Sequence, residues 1–378
     1  MNTTKIKDVC VVVSGTTPKS TEKRYWNGTH VWITPAELTE DSFIVSDSER
    51  HITDEAVKAT GLKPFPKGTV LLSSRAPIGK VAIAGCDMYC NQGFKNLICS
   101  DSIYNLYLYY FLKSKTEYLN SLGRGATFKE ISKGIVEDIT IPFPAYDEQI
   151  HIAKQLQKIT ELIALKKRQY RYLDDIIRSR FLERFGEPGV NDKEFPCYPV
   201  GQIAESVTYG TSAPASNSGQ YEYLRMNNLT DNGQLDLSDL KRIDMSDEQA
   251  EKYMVKKGDI LFNRTNSIDL VGKTALFNLN TPMIIAGYLI RIRLSDKVNP
   301  VYFTAYMNMP YMKEKLRNMA KGAVNQANIN SKELKSIQIL IPPLSLQNEY
   351  CNFVLSIDKS KYCGTISLHL LEDVSHML

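Results

Sequence analysis

The chain of 378 residues lacks the long apolar run that a membrane-spanning segment needs. No stretch of about 18 consecutive apolar residues occurs. The first residues, Met1 to Lys7, have no apolar core of the kind found in a secretory signal peptide. Hydrophobic residues make up 43% of the chain and charged residues 23%, which indicates a folded globular protein. We therefore expect a cytoplasmic protein without a membrane segment, long enough for two domains.

Metal-binding motifs are also missing. The seven cysteines form no C-x-x-C pair, and the closest two, Cys86 and Cys90, have no histidine nearby at zinc spacing. The histidines are scattered along the chain at His30, His51, His151, His369 and His376. The sequence therefore predicts buried, reduced thiols, no metal site and no catalytic histidine.

Catalytic motifs are absent as well. Gly272-Lys273-Thr274 ends like a phosphate-binding loop, but Ser267 stands where that loop needs its first glycine. No G-x-G-x-x-G, Asn-Pro-Pro-Tyr or Asp-Pro-Pro-Tyr motif occurs. Glu333-Leu334-Lys335 has the spacing of a nuclease motif without an upstream acid. The chain is thus predicted to have no catalysis of its own.

What the sequence does contain is a long internal duplication. Segments recur in the same order about 190 to 200 residues apart, which is far longer than the period of ~20–50 residues in solenoid repeats. The matching pairs are Gly15-Thr16-Thr17-Pro18 with Gly210-Thr211-Ser212-Ala213-Pro214, Trp32–Thr39 with Tyr223–Thr230, Lys67–Leu71 with Lys257–Leu261, Ile78–Ala82 with Val271–Ala275, Gly125-Ala126 with Gly322-Ala323, and Ile141-Pro142 with Ile341-Pro342. The pattern predicts two similar domains with two similar binding surfaces.

Each copy has the same order of predicted elements. A loop rich in Gly, Thr, Ser and Pro is followed by short apolar strands, at 69–72 and 81–84 in the first copy and at 259–262 and 274–277 in the second. An aromatic-rich helical stretch follows, at 103–119 and at 301–316. Phe94 and Tyr288 are predicted core residues.

A long helix follows each copy. Between Asp147 and Phe185 apolar residues are spaced alternately by four and three, which predicts one helix of ~55–60 Å with a heptad seam. A weaker seam runs from Leu346 to Leu378. Because neither seam is self-sufficient, we expect the two helices to pair antiparallel. The predicted seam residues are Leu156, Ile159, Ile163, Tyr170, Leu173, Ile177, Tyr350, Phe353, Ile357 and Leu371.

The predicted fold class is α+β, with two similar globular domains related by a pseudo-twofold axis and separated by two long antiparallel helices. The predicted boundaries are 1–145 for the first domain, 146–188 for the central helix, 189–343 for the second domain and 344–378 for the distal helix. The segment 150–185 carries nine basic and four acidic residues. Such a helix suits either DNA phosphates or an acidic protein partner.

Two like surfaces with polar loops suit duplex DNA, whose base edges Arg, Lys, Asn and Gln recognise by paired hydrogen bonds. The candidate DNA-binding residues of the first copy are Lys19, Arg24, Tyr25, Arg75, Asn91, Gln92, Lys95, Arg124 and Lys129. Those of the second copy are Arg225, Asn227, Arg264, Asn266, Lys273, Asn325 and Gln326.

Several of these residues also have a structural interpretation. Arg75 and Arg264 recur in both copies, and a repeated residue is as suited to holding the fold as to reading a base. Residues without a repeat, such as Arg24 or Asn266, are better candidates for readout because two half-sites normally differ. Tyr25 and Trp26 suit stacking on a base or, more often, capping a small core.

Several segments of the chain resemble those of a known protein family. The segments Tyr25–Gly28 and Val31–Pro35, the run Ser73–Gly79, Gly125–Thr127 with Ile131, and Asp147-Glu148-Gln149 after the proline pair are similar to those of type I restriction–modification specificity subunits. The second copy departs more, with Asn263-Arg264-Thr265 for the Ser-Ser-Arg run and Gln347-Asn348-Glu349 for Asp147-Glu148-Gln149.

The resemblance implies two target recognition domains, each reading one half of a split DNA sequence, with the helices fixing the gap. It implies a subunit without catalysis that recruits two methyltransferase subunits and a motor–nuclease subunit. No cofactor is expected in this chain, whereas S-adenosylmethionine, ATP and Mg are expected in the partners.

Three rival interpretations follow from the same residues. The first is a protein–protein scaffold that binds no DNA. The second is an enzyme, such as a nuclease with an unrecognised metal site. The third is an orphan or truncated specificity subunit whose partners are lost, which the weak final helix keeps open.

Overall fold

The computed structural model describes residues 2–75, 77–125, 129–320 and 326–377, with side chains described up to residue 361. The chain divides into two compact units, one of Met1–Leu165 with Ser367–Leu378 and one of Lys166–Ile366. Both units combine helices and sheets, so the predicted α+β class is confirmed. The predicted domain boundaries stay predictions.

The strands are short and follow one another in the same order in both copies. Those of the first copy are β1 (Thr3–Lys5), β2 (Cys10–Val13), β3 (Trp26–Ile33), β4 (Ile44–Val45), β5 (His51–Ile52), β6 (Val70–Leu72), β7 (Val81–Ala84), β8 (Tyr89–Cys90), β9 (Asn96–Cys99) and β10 (Thr140–Pro142). Those of the second copy are β11 (Cys197–Pro199), β12 (Ala204–Tyr209), β13 (Tyr221–Leu224), β14 (Lys241–Ile243), β15 (Met254–Val255), β16 (Ile260–Asn263), β17 (Thr265–Asn266), β18 (Thr274–Leu276), β19 (Met283–Ile285), β20 (Leu289–Leu294), β21 (Ala327–Asn328) and β22 (Gln338–Leu340).

The helices correspond in the same way. Those of the first copy and the helix after it are α1 (Ile6–Val9), α2 (Asp54–Thr60), α3 (Asn105–Ser114), α4 (Thr116–Ser121), α5 (Lys133–Glu137) and α6 (Tyr146–Phe185). Their counterparts are α7 (Val200–Ile203), α8 (Asp247–Tyr253), α9 (Pro300–Met307), α10 (Pro310–Met319), α11 (Ser331–Ser336) and α12 (Leu344–Met377). The predicted strands and both long helices are therefore confirmed.

The sheet topology repeats from copy to copy. The first copy has the strand orders β1-β10, β2-β9-β6-β7-β4 and β5-β3-β8, and the second has β11-β22, β12-β20-β16-β18 and β14-β13-β19-β15. Both copies contain an equivalent parallel pair, β3 with β8 and β13 with β19, and the first copy has a further parallel pair, β4 with β7. The internal duplication is thereby confirmed in the backbone, and the small pair β17-β21 of the second copy corresponds to the single bridge between Arg75 and Glu130 in the first.

Each predicted aromatic helical stretch is two helices rather than one. In the second copy α9 ends at Met307, with Asn308 as its cap, and Pro310 starts α10, because proline fits the first turn of a helix but not its interior. The Asn308 side chain donates hydrogen bonds to the carbonyls of Thr274 and Thr304, at 2.7 and 2.9 Å. These bonds hold the break between the helices against strand β18.

A buried glutamine ties the start of each long helix to its own globular copy. Gln149 accepts a hydrogen bond from the Tyr104 backbone N–H at 2.9 Å, and its Nε2 donates to the carbonyls of Ser102 and Pro144. Gln347 accepts from the Asn299 N–H at 2.8 Å and donates to Lys297 and Pro342. Both side chains are fully buried. The structural match of Gln149 is thus Gln347, two places from where the motif alignment put it.

The two long helices pack against each other within the second unit. Tyr170 Oη donates to the Lys361 carbonyl at 3.2 Å, and Arg184 lies 3.5 Å from Glu349. The residue numbers of the contacting positions fall along α12 as they rise along α6. The two helices are therefore antiparallel, as predicted. Phe181 of α6 and Tyr350 of α12 meet with ring centroids 5.6 Å apart in the second core.

The predicted seam residues divide into three groups. Ile159, Ile163, Tyr170, Leu173 and Ile177 are half-buried, as are Phe353 and Ile357, and Tyr350 is buried. Leu156 packs instead into the core of the first unit, with Ala153 and Leu108. The Leu371 side chain lies outside the described residues. In the described parts of the chain, no helix combines the length and apolar character needed to cross a membrane.

The cysteines are less uniformly buried than the sequence suggests. All six that the structure describes are unpaired. Cys10 and Cys90 are buried, Cys86, Cys99 and Cys351 are half-buried, and Cys197 is exposed on β11. The prediction of buried thiols is therefore wrong for Cys197, because its strand lies at the edge of a two-stranded pair.

Candidate nucleic-acid interface

The loop after β2 and the matching loop after β12 are both held tightly against a neighbouring strand. A Cβ atom on Gly15 would lie 1.7 Å from the Cys90 carbonyl oxygen, and one on Gly210 would lie 2.2 Å from the carbonyl oxygen of Ala286. Real Cβ contacts are never this short. The repeated glycine therefore permits a close backbone approach that no other residue allows.

An aromatic side chain anchors the same loop in each copy. Trp32 is buried, and its Nε1 donates a hydrogen bond to the Thr16 carbonyl at 3.1 Å. Tyr223 occupies the same place in the second copy, and its hydroxyl donates to the carbonyls of Thr211 and Ala213, each at 3.0 Å. Two different aromatic residues thus fix the loop with the same kind of bond.

Beside each anchored loop lies a cleft. The first cleft has a volume of about 420 Å³ and the second a volume of about 520 Å³. The residues that define the first cleft are Thr34, Arg75, Asn91, Gly93 and Glu130. Those that define the second cleft are Arg225, Met226, Asn227, Arg264, Gly287 and Tyr288.

The two clefts occupy equivalent places in the repeated backbone. Trp32 pairs with Tyr89 across the parallel strands of the first copy, and Tyr223 pairs with Ile284 in the second. Thr34 and Arg225 each lie two residues after the first member of their pair, so they correspond. Gly93 and Tyr288 each lie four residues after the second member, so they correspond as well. One scaffold therefore presents two clefts with different side chains.

The first cleft contains a carboxylate between two cations. Glu130 Oε1 lies 3.1 Å from Lys95 Nζ, and Glu130 Oε2 lies 3.6 Å from Arg75 Nη1. Lys95 also donates to Ser74 Oγ at 3.2 Å, and its side chain is only 9% exposed. The Lys95 ammonium group is therefore used inside the protein, which makes it a poor candidate for a DNA contact.

The second cleft contains two arginines with unused donors. The Arg264 guanidinium lies over the Tyr209 ring, with 4.8 Å from Cζ to the ring centroid, and Nη1 donates a long bond of 3.4 Å to the Gly287 carbonyl. The Arg225 guanidinium is held by Asp239. The Nε atoms of both arginines are buried and have no hydrogen-bond partner in the structure.

The predicted equivalence of Arg75 and Arg264 is wrong. The backbone N–H of Ser73 donates to Lys80, and that of Asn263 donates to Lys273, so Ser73 and Asn263 correspond. Arg264 consequently matches Ser74, and Arg75 matches Thr265 of β17. The two arginines look repeated only because they stand one residue apart in otherwise similar segments.

Lys80 and Lys273 occupy equivalent positions in the two copies and make the same contact with the backbone. Lys80 Nζ donates to the carbonyl of Leu38, and its equivalent, Lys273, donates to that of Leu229 at 3.3 Å. Lys273 also lies 3.3 Å from Asp231, and its side chain is 15% exposed. Among the predicted DNA contacts, Lys273 is thus occupied with holding a turn of its own copy.

The remaining predicted residues lie mostly on the surface. Arg24 is exposed and pairs with Glu55 at 2.8 Å, and Gln92 accepts from Thr17 Oγ1 at 2.7 Å. Asn91 is half-buried, with Oδ1 accepting from the Gly93 N–H at 2.9 Å. Lys19, Arg124, Lys129, Asn227 and Gln326 are exposed, Asn266 is half-buried in β17, and Asn325 lies outside the described residues.

The structure also shows where the aromatic residues considered in the sequence lie. Tyr25 and Trp26 pack on a small cluster around Trp32, with Arg50 Cζ 3.5 Å from the Trp26 ring centroid, so they cap a core as expected. Phe94 is buried as predicted, but Tyr288 is 49% exposed and lines the second cleft. Leu289, not Tyr288, is the counterpart of Phe94, again a shift of one residue.

Three residues at the second cleft were not predicted from the sequence: Met226 and Tyr288, which line it, and Tyr209, whose ring contacts the Arg264 guanidinium. Each is an apolar or aromatic residue in a segment that reads as strand or core, and no local signal distinguishes it. No group of three or more potential metal ligands occurs within the described ranges. His30 and His51 instead contact single carboxylates, Asp54 at 2.7 Å and Asp47 at 2.9 Å.

Comparison with known proteins identifies the family of this duplicated fold. A model of the type I restriction modification DNA specificity domain matches residues 1–173 and again residues 194–362. The chain belongs to the type I restriction–modification specificity family. The two matched segments of this specificity subunit coincide with the two copies of the repeated backbone, each with its cleft.

Relatives of the specificity subunit agree with this assignment. It is 32% identical to the type I restriction enzyme MjaIX specificity subunit of Methanocaldococcus jannaschii, over 93% of this chain and 85% of the relative. It is 25% identical to the EcoKI specificity subunit of Escherichia coli, over 73% of this chain and 64% of that relative.

Solved structures show the same fold at low sequence identity. The S subunit of a type I restriction–modification system from M. genitalium aligns over all of this chain and 94% of its own, with a TM-score of 0.55 and 15% identity. A chain from a structural study of complex assembly and conformational transition in the type I system aligns over 100% and 95%, with a TM-score of 0.57 and 16% identity.

Proposed function

We propose that this specificity subunit binds double-stranded DNA and that each copy reads one half of a bipartite sequence. The observation that carries the proposal is the pair of equivalent clefts, which share a backbone but differ in their polar side chains. A scaffold that is repeated for structural reasons alone has no need for different hydrogen-bonding groups at the same place. Two different half-sites need them.

The long helices are proposed to set the unread spacer between the halves. At ~1.5 Å per residue, a helix of 40 residues is about 60 Å long, more than one turn of duplex DNA at ~34–36 Å. Each long helix is tied to its own copy by a buried glutamine, which favours a fixed rather than a hinged connection. The nine basic residues of segment 150–185 offer charge to DNA phosphates or to acidic partner residues.

We further propose that the chain has no catalysis of its own and acts through partners. The family resemblance implies that these partners are two methyltransferase subunits and a motor–nuclease subunit, and its relatives are named as specificity subunits of type I restriction enzymes. S-adenosylmethionine, ATP and Mg would then be bound by the partner subunits.

Methylation mapping tests the proposed function. The chain is expressed with its methyltransferase subunit in a host that lacks adenine methylation, and the genome is sequenced with modified-base detection. The expected result is a split motif with methyladenine in each half and a spacer of constant length. An assembled complex that leaves the genome unmethylated would favour the rival protein–protein scaffold or an inactive copy.

A further inference from the structure

The second cleft differs from the first in its charge. Arg225 and Arg264 are the charged residues among those that line it, and the described lining contains no carboxylate. In the first cleft, by contrast, Glu130 lies between Arg75 and Lys95. A ligand of the second cleft should therefore offer hydrogen-bond acceptors, because the wall offers mainly donors.

The guanidinium of Arg264 has Nη donors left for an incoming acceptor, whereas Arg225 already donates to Asp239. Arg264 has a buried Nε without a partner and a single long bond from Nη1. Buried donors without partners are unfavourable, and native proteins rarely keep them unless a ligand or water completes them. The Tyr209 ring beneath the guanidinium supports its plane without using any of its N–H groups.

We propose that Arg264 is a specificity-determining residue that recognises a guanine in the half-site read by the second copy. This inference rests on the proposed function. The planar guanidinium donates two parallel hydrogen bonds, and guanine presents two acceptors, O6 and N7, in the major groove at matching spacing. Arg225 also lines the cleft, but its guanidinium is paired with Asp239, so the recognition is assigned to Arg264.

The surroundings favour a base over a phosphate. Arg264 is half-buried in a concave cleft beside Met226 and Tyr288, whose apolar surfaces suit the flat face of a base better than a charged phosphate. A flat base edge can enter between these side chains. The first cleft has Ser74 at the equivalent position, so it lacks this guanine contact.

The test compares three variants of the full chain, each assembled with its methyltransferase subunit. Arg264→Gln removes the positive charge and the paired N–H donors of the guanidinium. Arg264→Lys keeps the charge but not the paired donors. Arg317→Gln, an exposed arginine on α10 outside the cleft, is the matched control for loss of one charge. Thermal melting of each complex verifies that the variants fold.

The expected result is a motif with guanine at one position of one half. Both Arg264 variants should lose preference for that guanine by roughly 10- to 100-fold, with the other half and the spacer unchanged. Arg317→Gln should leave the motif intact. Binding to oligonucleotides that carry each base at that position measures the same loss directly.

Other outcomes overturn the inference. Arg264→Gln could instead weaken binding to every sequence equally and reduce the slope of log binding constant against log salt concentration by about one. In that case Arg264 contacts a phosphate. A split motif that is unchanged by Arg264→Gln, or that has no guanine in the affected half, rejects the guanine contact but leaves the proposed function standing. A wild-type complex without any split motif rejects both.

Discussion

Where Arg75 faces Glu130 in the first copy at 3.6 Å, Thr265 donates a hydrogen bond to Asn328 in the second at 2.8 Å. The backbone pairing that brings these residues together is the same, Arg75 with Glu130 and Thr265 with Asn328. An ion pair and a neutral hydrogen bond thus close the same loop. The scaffold tolerates a change of charge at the cleft because the strand pairing, not the side-chain pair, holds the loop.

Positions that hold the scaffold behave differently. Gln149 and Gln347 make the same three kinds of contact, and Lys80 and Lys273 both donate to the carbonyl of an equivalent leucine. Structural roles are therefore repeated in the two copies, whereas the cleft residues are not.

Replacing either buried glutamine should destabilise only its own copy. Gln149→Leu leaves the Tyr104 N–H and the Pro144 carbonyl without their partner, at a cost of about 2–4 kcal/mol. Gln347→Leu should cost the same in the second copy. Hydrogen exchange of the full chain, followed by mass spectrometry, reports each copy separately. Gln155→Leu, at an exposed position of the same helix, is the control, and loss of protection in both copies would contradict the prediction.

Changing an asparagine in one cleft should relax one half of the recognised sequence. Asn91→Ala removes an NH₂ group from the first cleft, and Asn227→Ala removes one from the second. Each change is expected to cost about 1–3 kcal/mol of discrimination at one base pair. Methylation mapping of the two variants should show degeneracy in opposite halves. Degeneracy in both halves from either single change would rule out modular reading.

Removing the carboxylate of the first cleft should expose the cost of burying Lys95. Glu130→Gln removes the negative charge that faces the Lys95 ammonium, which also donates to Ser74. A fully buried cation that loses its partner costs about 3–5 kcal/mol, and because Glu130 is 38% exposed we expect about 1–2 kcal/mol. The double variant Lys95→Met, Glu130→Gln should recover most of the loss in a thermal melt. If Glu130→Gln alone is neutral, the ion pair does not stabilise the first copy.

The smallest effect should appear as acid sensitivity of the first copy. Hydrogen bonds from Lys5 and Lys7 hold the pKa of Asp138 below its ordinary value of 3.8. The contribution of these contacts is complete above pH 3.8 and is lost as the pH falls through the lowered folded-state pKa. The difference in urea midpoint between the wild type and Asp138→Asn should therefore shrink in acid. Asp101→Asn, on the same copy, is the control. A difference in urea midpoint that grows in acid would contradict the prediction.

Much of the architecture was predictable from local patterns. The repeated Gly-Thr segments, the short apolar strands and the heptad spacing of α6 each reflect a backbone requirement that a sequence displays directly. The family resemblance followed from the same segments. Two of the predictions that failed, the equivalence of Arg75 with Arg264 and the burial of Tyr288, are both shifts of one residue. In a strand such a shift moves a side chain to the opposite face.

Local patterns in the sequence show that the chain is duplicated, that each copy is a mixed α and β fold and that a long amphipathic helix follows each copy, because periodicity and glycine placement are local properties. Which residues share a cleft depends instead on the tertiary structure. Arg225, Arg264 and Tyr288 line the second cleft from three separate segments of the second copy, and strand register brings them together. Register depends on pairing between distant strands, so the partners that define Arg264 as a donor are fixed only when the sheet forms.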